Sequence, residues 1–333
     1  SSTARSRLQQ HGSVILGNAS EKELSYAYDN IARQSDLLVF VTSDAMLYLF
    51  HTVFNDLLKT VEKDALYSDT LSLVCSLQAE SESVYVQTPA TQPLVKQAAR
   101  HNRVVFAVAR VLLEPDFTPP PEIAAEVLTY TRQISEHTAV EFYPGDDYTQ
   151  YMPRGHYAGD PQLERYFRAI KWLSRRIYRI QDNEHPHEAN VELAAAVLLA
   201  QMLEKSESAI QNPESAIRNQ DAWQRLYDVT RLLAGPADSI TPPMVSMAVS
   251  RTFGASFTLS LLEDPAHLAA LRTELISNPY YPTSEIIPVP TLPGQMPPKY
   301  IQFIGERYLP DSEVMQKTTF TYTSRLLPSG LDV

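Results

Sequence analysis

Proline lies between the apolar stretches of this chain, not within them, and this placement constrains the fold most. The 333 residues include 24 prolines and only 10 glycines. Proline has no N–H and a fixed φ, so it fits the first turn of a helix and disrupts the interior. The pattern therefore favours a series of separate helices, and the scarcity of glycine argues against a sandwich or barrel.

Apolar residues recur at helical spacing between these prolines, over residues 20–277. A capping box at Ser20–Glu23 predicts the start of the first helix near Ser20. The clearest case runs from Thr42 to Leu66, where Met46, Phe50, Val53 and Leu57 share one face. The same reasoning predicts helices at about 69–85, 92–114, 121–137, 161–180, 186–206, 213–234, 241–252 and 264–277. We therefore predict a mainly α fold, a multi-helix domain for which a toroid is one arrangement.

The character of the chain changes after Asn278. Seven prolines between residues 278 and 299 forbid regular helix there. Short strand-like pieces follow at Tyr300–Ile304 and Thr318–Tyr322, with a short helical turn after Asp311. We expect an all-α domain over 1–277, a proline-rich connection over 278–299, and a small irregular α/β segment over 300–333 that begins a longer C-terminal region.

Composition excludes several classes of function. The formal net charge is −11, which disfavours nucleic acid as a partner because phosphate binding needs a positive surface. No apolar run approaches the length of a transmembrane helix, about 18 residues. The single cysteine, Cys75, allows no internal disulfide and no cysteine-rich zinc motif. We predict no metal site, and the sequence identifies no cofactor and no oligomeric state.

The densest polar and aromatic loop of the chain lies at residues 146–157. It carries Tyr148, Tyr151, Arg154 and Tyr157, which we predict to bind a ligand, together with Asp147 and His156. Such side chains beside glycine hinges are what a ligand-gripping loop requires. The alternative is a long loop held in place by its own side-chain hydrogen bonds.

Two helices carry further candidate residues. On the helix from Thr42, Asp44, Tyr48, His51 and Asn55 line one polar stripe, which is either an acid/base face or a solvated one. On the predicted helix 161–180, arginines surround Trp172 and either bind an anion or neutralise acidic neighbours: Arg165, Arg168, Arg175, Arg176 and Arg179. We assign Arg165 and Arg168 to ligand binding.

Three stretches together resemble one family. They run from Phe40 to His51, from Asp147 to Tyr157 with Arg165 to Ala169, and from Ile304 to Ser312 with Leu327 to Val333. The resemblance is to domain of unknown function 3160, a family of large bacterial and archaeal proteins that commonly carry export signals. Tyr48 replaces the family's usual histidine and Glu306 its usual glutamine. The resemblance implies an extracytoplasmic location, secreted or in the cell envelope, and no established activity.

These observations leave two main functional hypotheses and a third, a scaffold subunit whose arginine helix docks onto an acidic partner. The first is an exported binding or structural module that engages a protein or polymer partner through the loop at 146–157. The second is a hydrolase in which Asp44, His51, Asp147 and His156 converge in a helical cleft for acid/base catalysis. The common catalytic signatures are missing, so whether the protein is an enzyme stays open.

Overall fold

A computed structural model describes residues 2–12, 33, 43–138, 147–204, 218–284, 299–305, 307 and 314. The chain divides into two compact units, Ser1–Leu57 and Leu58–Val333. The first unit contains helix α1, Ser2–His11, and most of helix α2, Ser43–Val61. The predicted helix start near Ser20 lies outside the described residues.

The described part of the second unit consists mainly of helices. Its first element is a π-helical turn at Glu62–Leu66. The helices that follow are α3 Tyr67–Gln87, α4 Pro93–Leu113, α5 Pro121–Glu136, α6 Pro161–Arg175, α7 Pro186–Glu204, α8 Asn219–Ala234, α9 Pro242–Phe253 and α10 Pro265–Ser277. The described residues are mainly helical, which confirms the predicted fold class.

Proline opens six of these helices, because their first N–H groups have no intrahelical partner to lose. Aspartate caps two of them. The Asp160 carboxylate accepts hydrogen bonds from the backbone N–H groups of Gln162 and Leu163, and that of Asp264 accepts one from Ala266. The prolines and aspartates that predict helix starts in the sequence therefore lie at the starts of helices in the structure.

Helix α4 lies at the centre of the second unit and packs against α3, α5, α6 and α7. It buries polar side chains as well as apolar ones. The Asn102 amide is fully buried, donates to the Ala195 carbonyl at 2.9 Å and accepts from the Tyr178 hydroxyl at 3.1 Å. The buried Arg103 guanidinium makes two hydrogen bonds to Glu82, at 2.7 and 2.9 Å. Both buried side chains therefore have partners on neighbouring elements.

One helix ends earlier than the sequence predicts. Helix α6 ends at Arg175, and residues 177–179 form strand β1, Ile177–Arg179, instead of the last turn of a helix reaching 180. The strand pairs antiparallel with β2, Tyr300–Gln302. A helical continuation would lose this ladder and the burial of Tyr178, which is fully buried between neighbours.

Strand β2 carries the chain beyond the proline-rich stretch back into the helical core. Phe303 is buried with its ring 5.7 Å from that of Phe106, and its carbonyl accepts from the Trp223 indole at 2.8 Å. Gly305 follows with φ +81°, where an added Cβ would lie 2.7 Å from the Ser239 hydroxyl. The predicted domain boundaries stay a prediction, and the strand predicted near 318–322 lies outside the described residues.

Replacing Tyr178 with Phe tests whether the polar contacts of α4 hold the core. The substitution removes one hydroxyl and leaves the Asn102 carbonyl oxygen buried without that donor. We expect a loss of about 1–3 kcal/mol in the free energy of unfolding, measured by urea denaturation. Tyr280→Phe is the control, because that ring is 51% exposed. Equal stability of the two variants would contradict the assignment.

Candidate functional site

The loop that the sequence singles out forms two short 3-10 turns, Tyr148–Tyr151 and Gly155–Tyr157. Asp147 caps the first turn. Its carboxylate accepts hydrogen bonds from the Thr149 backbone at 3.1 Å, the Thr149 hydroxyl at 2.6 Å and the Gln150 amide at 3.1 Å. Burial alone would raise the pKa of Asp147, but the hydrogen bonds from Thr149 and Gln150 outweigh burial, and the pKa is lowered. The role of the Asp147 carboxylate in this structure is therefore to stabilise the first turn through these hydrogen bonds.

The two tyrosines of the first turn face the core. The rings of Tyr148 and Tyr151 are 3% and 0% exposed and lie 5.7 Å apart. In this conformation they anchor the turn by packing and present no ring face to a ligand outside the protein. Arg154, also predicted to bind a ligand, is exposed, and its guanidinium lies 3.4 Å from the Gln150 amide oxygen.

Glu62 joins the second turn to the π-helical turn, in an arrangement that we name the Glu62 clasp: Glu62, His156 and Tyr157. One carboxylate oxygen lies 2.6 Å from His156 Nε2, and the other accepts from the Tyr157 hydroxyl at 2.7 Å. Gly155 permits the turn through its φ of +60°. Both the Glu62 and His156 side chains are nearly buried, at 12% and 10% exposure. His156, a predicted catalytic residue, is thus nearly buried and paired with Glu62.

The next residue of the π-helical turn extends the same junction. The Lys63 ammonium pairs with Asp160 at 2.6 Å, and the Lys63 carbonyl accepts from the Gln162 amide at 3.2 Å.

Burial, then the negative charge and hydrogen bond of Glu62, raise the pKa of Tyr157 well above its ordinary value. The phenol therefore stays a neutral donor throughout the physiological range and is a poor nucleophile.

The other two candidate catalytic residues belong to the first unit. Asp44 lies in the first turn of α2 and is exposed. The His51 ring, also exposed, is 2.9 Å from the Asn55 amide nitrogen, one helical turn away. Asp44 and His51 belong to the first compact unit, whereas Asp147 and His156 belong to the second. Their predicted convergence in one cleft stays a prediction.

Arg165 and Arg168 line a groove of about 730 Å³ between α4, α5 and α6, together with Arg132. We call these three side chains and their cleft the arginine groove. Within the described part of the chain, Arg165 and Arg132 have no hydrogen bond or ion pair, and Arg168 has one 3.3 Å contact with Glu164. The Nε atoms of Arg165 and Arg168 are buried without a partner. Buried donors without acceptors are costly, and an anion that reached these atoms could accept from both.

The predicted arginine face of residues 165–179 is split between different surroundings. Because α6 ends at Arg175, the later arginines leave its face. Arg176 lies 4.1 Å over the Trp172 ring, and Arg179 pairs with Glu192 and Asp182 at 2.7 and 2.6 Å. Trp172 is buried and donates to the Val105 carbonyl at 2.8 Å. The prediction of one continuous arginine face around Trp172 is therefore wrong, whereas Arg165 and Arg168 do share one groove.

A second, smaller pocket of about 280 Å³ lies between α4, α5, α6 and α7. We call it the His101 pocket, after the imidazole in its wall. Burial lowers the pKa of His101 below its ordinary value and raises that of Tyr130, another wall residue. Neither residue stands out in the sequence, because each belongs to an otherwise ordinary amphipathic helix. Only the packing of four helices brings them together.

Two broader properties follow from the described residues. They contain no group of three or more His, Cys, Asp or Glu side chains placed to hold a metal ion. None of their helices combines the length and apolar character needed to cross a membrane.

Comparison with protein families decides the affiliation of the chain. The family model described as protein of unknown function (DUF3160) matches residues 1–333. The chain belongs to this family. No curated protein and no solved structure matches it. Family membership of this DUF3160 protein therefore confirms the resemblance seen in the sequence and assigns no activity.

A double-mutant cycle tests the Glu62 clasp of the DUF3160 protein. Tyr157→Phe removes a hydrogen bond to a charged acceptor, which we expect to cost about 1.5–3 kcal/mol in urea unfolding at pH 7. Because the pKa of Tyr157 is raised, this contribution is complete below its ordinary pKa, about 10, and is lost as the pH rises through the raised value. In Glu62→Gln, the same Tyr157 change should cost less.

The control for this cycle is Tyr85→Phe. That side chain is also partly buried, and its hydroxyl makes no hydrogen bond among the described residues. The two single changes at Glu62 and Tyr157 should be non-additive, and that at Tyr85 additive with Glu62→Gln. Full additivity at Tyr157 would show that the clasp does not act as a unit.

Proposed function

We propose that this protein is a binding module whose arginine groove holds an anionic group of a polymer partner. The observation that carries the proposal is the set of three arginines on one groove, two of which have a buried Nε with no acceptor within the described residues. Arginine recognises carboxylate and phosphate groups through its planar fork of donors. The groove is also large enough for an extended segment of a chain, since ligand sites commonly measure about 300–1,000 Å³.

The charge of the whole protein makes this local arrangement selective. The net charge is −11, so a polyanion is repelled by the molecule as a whole and gains affinity only where arginines are concentrated. Val111 and Leu128 supply an apolar part of the groove wall beside the arginines. A polymer with spaced acidic groups fits this combination better than a uniformly dense polyanion such as nucleic acid.

Binding of polygalacturonate, a polymer with one carboxylate per sugar, tests the proposal. We expect saturable binding by calorimetry that weakens as salt is raised. Arg165→Gln removes a charged donor and should weaken binding about tenfold or more. Arg231→Gln is the matched control, because it makes the same charge change at an arginine that is 62% exposed and outside the groove.

Two results would contradict this function. One is the absence of binding to polygalacturonate and also to polyglutamate and polyphosphate, at low salt, by a folded protein. The other is equal weakening by Arg165→Gln and Arg231→Gln, which would indicate nonspecific attraction in place of a groove.

The hydrolase remains the second candidate, and the short contact between Glu62 and His156 favours it. A carboxylate that orients an imidazole is a common part of acid/base catalysis. Turnover of chromogenic ester, phosphate or glycoside substrates that is abolished by His156→Asn would support this function. Turnover unaffected by that change would exclude His156 from catalysis.

We also propose an extracytoplasmic location, because the family that this chain belongs to commonly carries export signals. Fractionation of cells expressing the full-length natural gene would test it. Recovery of the protein with the envelope or medium is the expected result, and recovery only with the cytosol would contradict it.

A further inference from the structure

The His101 pocket is distinct from the arginine groove, since the residues that line the two do not overlap. Its walls come from α4, α5, α6 and α7. Two of its side chains, His101 and Tyr130, have no hydrogen-bond partner within the described residues. An imidazole and a phenol that face a cavity in this state are available donors and acceptors for a ligand.

The charges around this pocket are largely paired with one another. Arg100 contacts Glu126 at 2.7 Å, and Glu192 accepts from both the backbone and the guanidinium of Arg179. An ionic ligand would have to compete with these pairs. A neutral polar ligand can instead use His101 and Tyr130 and leave the ion pairs intact.

The aromatic lining favours a ligand with one apolar face. The Tyr130 ring lies 5.1 Å from the Trp172 ring, and the Arg176 guanidinium lies 4.1 Å over the Trp172 ring. Val104 and Val105 complete the apolar part of the wall. Sugar rings have an apolar face of C–H groups and an edge of hydroxyls, and tyrosine offers both an aromatic surface and a hydroxyl to such molecules.

We propose that the His101 pocket binds a single neutral sugar residue. The pocket volume of about 280 Å³ lies at the small end of ligand sites, which suits one sugar ring. Tyr130 and His101 hydrogen-bond the sugar hydroxyls, and the Tyr130 ring contacts the apolar face. This site would bind a sugar unit independently of the anion bound in the arginine groove.

Tryptophan fluorescence provides a direct test, because Trp172 lines the pocket and the chain has only 2 tryptophans. The probes are glucose, galactose and N-acetylglucosamine, with inorganic phosphate as the charged comparison. We expect a saturable change with at least one sugar, at a Kd in the millimolar range, and none with phosphate.

Substitutions then locate the binding. Tyr130→Phe keeps the ring and removes the hydroxyl, so it should weaken sugar binding about fivefold to tenfold. Tyr280→Phe, at an exposed ring outside the pocket, should leave the Kd unchanged, as should Arg165→Gln in the groove. The last variant separates a failure of this site from a failure of the anion site.

Three outcomes would overturn the proposal. The first is no saturable change with any of the three sugars up to concentrations on the order of 50 mM, with the protein folded by circular dichroism. The second is an unchanged Kd in Tyr130→Phe. The third is tighter binding of phosphate than of every sugar, which would make the pocket an anion site.

Discussion

The need to satisfy polar side chains buried on helix α4 constrains the rest of the second unit. Asn102 requires both the Ala195 carbonyl and the Tyr178 hydroxyl, so α7 and strand β1 must lie where those atoms can reach it. Arg103 likewise requires Glu82 on α3. An unpaired group at either position would cost the desolvation of a buried amide or charge, so alternative packings of these helices are strongly disfavoured.

Both cavities follow from this arrangement. Helix α4 contributes Val111 and Leu112 to the arginine groove near its C-terminal end, and His101 and Val104 to the other pocket nearer its middle. Helix α6, fixed to α4 by the hydrogen bond from Trp172 to the Val105 carbonyl, supplies Arg165 and Arg168 to the first cavity and Trp172 to the second. The Glu62 clasp fixes the loop that leads into α6. The packing of α4 against α6 thus contributes to two chemically different sites, one cationic and one whose charges are largely paired with one another.

The helices could be predicted from the sequence because proline and aspartate mark their starts and apolar residues recur at helical spacing. The end of α6 could not be predicted, since Ile177 and Tyr178 continue the helical pattern and only pairing with Tyr300–Gln302 makes them a strand.

Residues that join a site only through contacts between distant helices are likewise hidden in the sequence. Arg165 and Arg168 are one turn apart and can be identified from the sequence, whereas Arg132, His101 and Tyr130 join their sites only through contacts between distant helices. The tyrosines of the loop are misleading for a related reason: Tyr148 and Tyr151 look like a binding surface in the sequence, but the turn capped by Asp147 directs them into the core.

The most direct test of the central claim, that the arginine groove is an anion site, is an NMR titration of the arginine Nε–Hε resonances with oligogalacturonate. We predict that the signals of Arg165 and Arg168 shift saturably and together, because their Nε atoms lie in one groove, while the signal of Arg231 stays in place. Shifts of equal size at all three positions, or no shift at Arg165 and Arg168, would contradict the claim.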